Sequence, residues 1–250
     1  MGNRGNYISA LVSIKPLGRK SYGSIPHLSN SKLGIGDYHC HIGQERIATE
    51  KVRDRHDVVI IQEKLDGGNV GVTKINGRII AITRAGYLAT SSPYKTHHVF
   101  DEWVKENKKR FSELLNEGER VCGEWLFHAV GTLYILPHEP FVAFDLMTDI
   151  KRKSLNEVKQ RVERLDFTIP YTVSIGPAMS VKYALSFLGT YGNHGAIEPV
   201  EGLIYRVERK SEVDFILKYV KQGKENGIYL PEISGKEAIE NKIIKFEKCD

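Results

Sequence analysis

The chain has no apolar run approaching the roughly 18 residues that a membrane span needs, and its first residues, MGNRGNYISA, lack the apolar core of a secretory leader. Neither a membrane enzyme nor an exported one is expected, and the reading is cytoplasmic. Cysteine is scarce: Cys40, Cys122 and Cys249 are odd in number and far apart, which argues against a disulfide framework and suits a reducing compartment. The cluster His39-Cys40-His41 is followed by no second ligand pair at zinc spacing, so a structural zinc site is not expected. Internal repeats and low-complexity linkers are missing too. Charge bias is slight, with 36 Lys and Arg against 31 Asp and Glu, a formal net charge of +5, 41% hydrophobic and 27% charged residues. That is an ordinary globular composition, and 250 residues suit one large domain or one domain with a small appendage. The small positive balance fits a protein that handles polyphosphate or nucleic acid, but decides little by itself.

What is present centres on VVIIQEKLDGGNVGV, residues 58–72. An apolar run, a cluster of Asp, Gly and Asn, and an alternating run read as strand, tight turn and strand, the Asp-Gly and Gly-Asn pairs supplying hairpin residues. A second turn at Asn76-Gly77 returns the chain into Ile79-Ile80-Ala81-Ile82. Residues 1–57 are rich in Gly, Ser, Asn and His and read mainly as loops with short strands, forming the N-terminal part of the same domain.

Farther on, Phe100, Trp103, Val104, Phe111, Leu114 and Leu115 approximate one face of a helix over 96–118, which Gly118 can end. Strands are expected over 120–127 and 141–147, then a helix capped by Ser154 with Glu157, a short helix over 181–188, and strands over 201–207 and 213–220. Ile239, Ile243 and Phe246 place an amphipathic helix over 236–247, so residues 222–250 read as a short helical tail to a core of 58–221. Many antiparallel strands with a few helices make an α+β fold.

In this order, KLDG at Lys64, GEW around Glu124, FVAFDL ending at Leu146, EGLIYR from Glu201 and FILKYVK from Phe215 resemble the motifs of the covalent nucleotidyltransferases. That superfamily holds the DNA ligases, RNA ligases and mRNA capping enzymes. KLDGGN, TRAG at Arg84, and the stretch from SIPHL through HAVGTLY are most similar to the ATP-dependent RNA ligases. The resemblance runs from about Tyr22 to Lys221. It implies an ATP-grasp-like ligase domain of antiparallel sheets flanked by helices. After the fifth motif only residues 222–250 remain, too few for an OB-fold domain of roughly 70 to 100 residues, so none is expected.

The resemblance implies a reaction and a site. ATP, with Mg²⁺ or Mn²⁺, would donate AMP to a lysine, and the partner would be RNA, or DNA, with 5′-phosphate and 3′-OH ends. Lys64 resembles the nucleophile, Arg84 the guanidinium that meets the AMP phosphate or ribose, and Glu124 the carboxylate for the ribose hydroxyls. Phe144 resembles the aromatic that stacks on adenine, whereas Phe141 would face the opposite side of the strand and belong to the core. Glu201 resembles the metal-binding carboxylate and Lys218 the phosphate-contacting lysine, both with catalytic parts; Glu63 and Asn69 complete the nucleotide and substrate contacts. Taken singly, Glu124, Asp145 and Glu201 read equally as rim carboxylates on solvated strands, and Asp66 and Asn69 as turn residues. Lys221 is a further nucleotide-binding candidate that the resemblance implies, but it departs from the family spacing. Three residues after Lys218, it faces the other side of a regular strand.

A free lysine, with pKa ~10.4, is less than roughly 0.1% neutral at pH 7, so Lys64 is expected to be depressed by burial or by neighbouring cations such as Lys218. His27, His97, His98 and His128 are expected to be surface or structural residues.

Overall fold

The computed structural model describes residues 15–244. A helix, α1 (Ile42–Thr49), precedes β1 (Asp57–Lys64), β2 (Gly68–Ile75) and β3 (Arg78–Thr83). Helices α2 (Lys95–Glu106) and α3 (Lys108–Leu114) then lead to β4 (Glu119–Trp125), β5 (Ile135–Leu136), β6 (Phe141–Thr148) and β7 (Lys151–Arg152). The rest is α4 (Leu155–Glu163), β8 (Thr172–Gly176), α5 (Val181–Leu188), β9 (Gly202–Arg209), β10 (Glu212–Val220), α6 (Pro231–Ser234) and β11 (Lys242–Ile243).

The expected hairpin over 58–72 does not form. β1 lies inside a four-stranded sheet of order β10-β9-β1-β8, while β2 belongs to a five-stranded sheet of order β3-β2-β4-β6-β7. Leu65-Asp66-Gly67 is a crossover between two sheets. Neither Gly67 nor Gly68 has positive φ; Gly67 is there for space. A Cβ on it would stand 2.7 Å from both Leu126 Cδ2 and the Trp125 carbonyl oxygen, because the crossover is pressed against the end of β4. The Asn76-Gly77 turn, by contrast, has φ of 50° and 69° and joins β2 to β3 as the sequence suggests.

Both sheets bury their outer faces. Val59 and Ile61 of β1, Tyr205 and Val207 of β9 and Leu217 of β10 pack with Ala184 and Leu188 of α5 and Ala48 of α1. Outside the second sheet, Phe100 and Val104 of α2, Phe111 of α3 and Val158 and Val162 of α4 cover Trp125 and Phe141. Phe141 is fully buried, with its ring centroid 5.8 Å from that of Phe100. Truncating an aromatic there to Ala costs about 3–5 kcal/mol. The inner faces of the two sheets look at each other across a cleft, and its floor carries the small cluster of Tyr22, Cys122 and Met147 with Phe144 against it.

Three more expectations are corrected. The loop-rich N-terminal segment contains α1, started by His41, whose ring Nδ1 accepts from the Gly43 amide at 3.2 Å; histidine is a rare cap and gave no signal. The helix expected over 96–118 breaks at Asn107, whose side chain donates to the Trp103 carbonyl at 2.9 Å, and α3 ends at Leu114 rather than Gly118. The helix expected over 236–247 is not present over its described part. Gly235, at φ 66°, stops the short α6, and β11 instead pairs in parallel with β5. Asn241 secures that strand by accepting from the Tyr134 amide and donating to the Leu126 carbonyl, each at 2.8 Å. Residues 245–247 of the expected helix lie outside the described residues. Ser154 does cap α4, accepting from the Glu157 amide at 3.3 Å. Among the described residues, no OB-fold follows Val220 and no helix is long and apolar enough to cross a membrane.

Candidate active site

Lys64 is the last residue of β1 and lies opposite Gly202 of β9 in the ladder, so Glu201, one residue earlier, is delivered to its ammonium. Lys64 Nζ is ion-paired with Glu201, and both side chains are largely buried. Burial works against the Lys64 ammonium, but Glu201 and Glu124 outweigh it and raise its pKa above the ordinary value. The expected depression is therefore overturned: two carboxylates face this lysine more closely than any cation does. Burial, with Glu201 adding like charge, pushes Glu124 up to about 7 even though Lys64 opposes it. Glu124 also accepts from the Gly67 amide at 3.1 Å, which ties β4 to the crossover.

Lys218 reaches the same cavity from β10, with Nζ 3.0 Å from Asp37 Oδ1. Burial pulls its pKa down despite that partner. Asp37 Oδ2 lies 3.0 Å from His27 Nε2, and His27 Nδ1 lies 2.6 Å from Ser31 Oγ. His27, at 1% exposure, is no surface residue but part of the wall behind Lys218. Lys221 follows the end of β10, outside the cavity lining, and burial, with Lys224 adding like charge, lowers its pKa.

The cavity, about 420 Å³, is lined from one sheet by Lys64, Glu201, Ile204, Ile216 and Lys218, and from the other by Asn69, Arg84, Glu124 and Phe144. Arg84 is exposed, and its guanidinium has no ion-pair partner among the described residues. Phe144 is the extra residue of a bulge where β6 opposes β4, since Cys122 faces Asp145 and Gly123 faces Ala143. It leans edge-on against Tyr22, with centroids 5.1 Å apart. Glu63 points its carboxylate to the Asn193 amide, 2.9 Å away, and burial pushes it up to about 7.

Asp145 and Asp66 are not the rim or turn carboxylates that their positions allow. Asp145 is fully buried and is shared by Arg206, by Arg152 at 3.1 Å and by the Tyr22 hydroxyl at 2.5 Å. It joins β6 to β9 beneath the cavity. Asp66 accepts from Thr132 Oγ1 at 2.9 Å and meets Lys224 at 3.4 Å, which fixes the 130–132 loop over the crossover.

Ile204 and Arg206 of EGLIYR, and Ile216 two residues before Lys218, also line the cavity. The period of two along a strand already places Ile216 on the face of Lys218, whereas Ile204 and Arg206 are out of phase with Glu201, which precedes β9. Asp37, Lys32 and Tyr22 carry no such signal.

A divalent cation fits this donor set in one of the two common ways. Among the described residues no group of three or more His, Cys, Asp or Glu forms a protein-only cage. Glu201 and Glu124, which line one cavity, instead suit Mg²⁺ or Mn²⁺ bound by one or two carboxylates plus substrate phosphates.

A lysine at a strand end, two carboxylates, an aromatic on a bulge and a second lysine, gathered between two antiparallel sheets, define a ligase-type nucleotidyltransferase domain. The chain belongs to the RNA ligase family, whose model matches residues 57–220. Among solved structures, an apo variant of a Naegleria gruberi RNA ligase is similar at 16% identity and a TM-score of 0.53, over 81% of this chain and 56% of that one. A second variant of a Naegleria gruberi RNA ligase, solved with ATP and Mn, is similar at 14% identity and a TM-score of 0.52, over 81% and 56%. An uncharacterised protein of Methanocaldococcus jannaschii is 27% identical over 129 residues, which is 46% of this chain and 29% of that protein. The chain thus spans about half the length of the structures and less of the sequence relative.

Proposed function

We propose that this protein is an ATP-dependent RNA ligase that joins 3′-OH and 5′-phosphate ends through a lysyl-AMP intermediate on Lys64. The observation that carries the reading is the convergence of Lys64, Glu201, Glu124, Phe144, Arg84 and Lys218 on one cavity from two sheets. Membership of the RNA ligase family supports the substrate class.

In the first step neutral Lys64 Nζ attacks the α-phosphorus of ATP, a P–N bond forms, pyrophosphate leaves and one proton is released. Lys218, in the same cavity, neutralises the triphosphate. A divalent ion held by Glu201 and the phosphates would supply charge neutralisation as the pyrophosphate departs. In the second step a 5′-phosphate oxygen of the RNA displaces Lys64, whose nitrogen takes up a proton, and AMP is carried on the strand end. In the third the 3′-hydroxyl attacks that 5′-phosphorus, AMP leaves and the hydroxyl proton passes to water. Glu124 and Phe144 hold the ribose and base, Arg84 stands by the AMP phosphate or ribose at the side of the incoming end, and Asn69 faces that end.

Lys64 can attack only after its ammonium gives up a proton, so Glu201 must exchange its lysine for another positive partner. The test is a denaturing gel after incubation with α-labelled ATP and Mg²⁺ or Mn²⁺. Label retained on the wild-type polypeptide, and lost in Lys64→Ala, supports the ligase; no label under any metal assigns the chain to nucleotide or nucleic-acid binding without catalysis.

A further inference from the structure

Beside the catalytic cavity, and sharing Asn69 and Arg84 with it, lies a second cavity of about 610 Å³. Its other walls come from the end of β3 and the turn into α2: Thr83, Tyr87, Ser92, Tyr94 and His97. None of these carries a role in the reaction described above.

Two polar groups in its lining have no partner among the described residues. Thr83 is 8% exposed, and neither its hydroxyl nor the buried Asn69 Oδ1 makes a hydrogen bond to any of them. Folded proteins pair such atoms in the great majority of cases, so two of them facing one cavity mark a place for a polar ligand. The aromatic wall is Tyr94, 49% exposed, set edge-on to His97 with centroids 5.9 Å apart. Ser92 Oγ lies 2.6 Å from His97 Nδ1 and 3.2 Å from the Tyr94 amide. The amide must donate, so Ser92 ties the start of α2 to the His97 ring. Burial lowers the His97 pKa. At the shared wall stands the unpaired guanidinium of Arg84.

An aromatic face, neutral polar groups and one cation at the mouth match an unstacked nucleoside joined to a phosphate. Resting on the ligase reading, we propose that this cavity is the subsite for the terminal nucleoside of the 5′-phosphorylated RNA strand, with its phosphate at Arg84. The choice of strand follows from the chemistry at the wall. AMP becomes joined to the 5′-phosphate, so the nucleoside attached to that phosphate must lie next to the AMP cavity. The other strand ends in a neutral 3′-hydroxyl, and its nearest phosphate is a singly charged diester on the far side of the terminal nucleoside, a weaker partner for a guanidinium than a terminal 5′-phosphate.

The test is fluorescence anisotropy, without ATP, of a trinucleotide RNA with a 3′ fluorophore and either a 5′-phosphate or a 5′-hydroxyl. The phosphorylated probe should bind wild-type protein about tenfold more tightly or better. Tyr94→Leu should weaken it about tenfold, Tyr94→Phe should restore it, and Thr83→Val should weaken it about threefold with an unchanged melting temperature. Variants that bind the phosphorylated probe as wild type does would overturn the subsite. So would variants that weaken both probes by the same factor, since the cavity would then not be reading the phosphorylated end. Wild-type protein that shows this binding pattern but retains no label from ATP would sink the ligase reading and leave the subsite standing.

Discussion

Lys64 and Glu201 meet because their strands are neighbours: the ladder that sets Lys64 opposite Gly202 leaves Glu201 beside the ammonium. In the proposed reaction the lysine is the nucleophile and Glu201 holds the metal. Lys64→Ala should then abolish retention of label from α-labelled ATP, while sealing of a chemically preadenylylated 5′ end survives in part, because that reading uses the lysine as nucleophile in the first step alone. Covalent AMP found on another residue of the variant would show that the nucleophile is misassigned.

In the proposed site Phe144 stacks on adenine. Phe144→Ala should weaken ATP use by ~1–3 kcal/mol, as for bases on protein aromatics, and Phe144→Tyr should be mild. Since Phe144 also packs on Tyr22, melting curves must accompany the kinetics. A loss of activity that only follows a loss of fold would count against stacking.

Lys218 and Lys221 should separate cleanly. Lys218→Ala should severely slow adenylylation, and Lys221→Ala should do less, because Lys218 lines the cavity and Lys221 does not. Single-turnover labelling measures both. Equal and complete loss with folding intact would place Lys221 on the phosphates after all.

Asp145 carries a structural load. It is fully buried against Arg206, so Asp145→Asn leaves a buried guanidinium without its counter-ion. Breaking such a pair from one side costs about 3–5 kcal/mol. Urea unfolding should show that loss, and Asp145→Leu combined with Arg206→Met should recover much of it.

Stability should also fall with acid. His194 accepts from the Tyr171 amide through Nε2 at 2.9 Å, so its proton is on Nδ1 and is donated to His138 Nε2 at 2.8 Å. Burial, and then His138, hold His194 down at about 3. The unfolded imidazole titrates near ~6.5, so between these values the unfolded chain binds the extra proton. The contribution is full above about pH 6.5 and shrinks as pH falls, by about 2 kcal/mol at pH 5. His194→Gln should flatten the pH dependence of the melting temperature between pH 7 and 5; an unchanged slope would show that other groups set it.

The residues of the site were more legible than the path between them. Lys64, Glu124, Glu201 and Lys218 stand out because the motifs that carry them resemble those of the covalent nucleotidyltransferases, and alternation also placed Phe141 away from Phe144. Periodicity says which face a residue takes but not which strand it will pair with, so VVIIQEKLDGGNVGV looked like a hairpin although its two strands enter different sheets. The charge of Lys64 was misjudged for a related reason. Lys218 seemed a natural neighbour, but Asp37 holds it at 3.0 Å, and that aspartate sits in a segment with no motif.

The crossover at Leu65-Asp66-Gly67 has a mechanical meaning. The other strand-to-strand link between the sheets, from β7 to β8, carries all of α4, whereas this one has three residues pinned by Glu124, Tyr134 and Thr132. The ends of β1 and β2 are therefore riveted together with almost no slack. Lys64 stands on one side of the rivet and Asn69 on the other, and Arg84 is level with Asn69 because Thr83 pairs with Val70. Three polar groups of the cavity thus keep a spacing that the backbone itself sets.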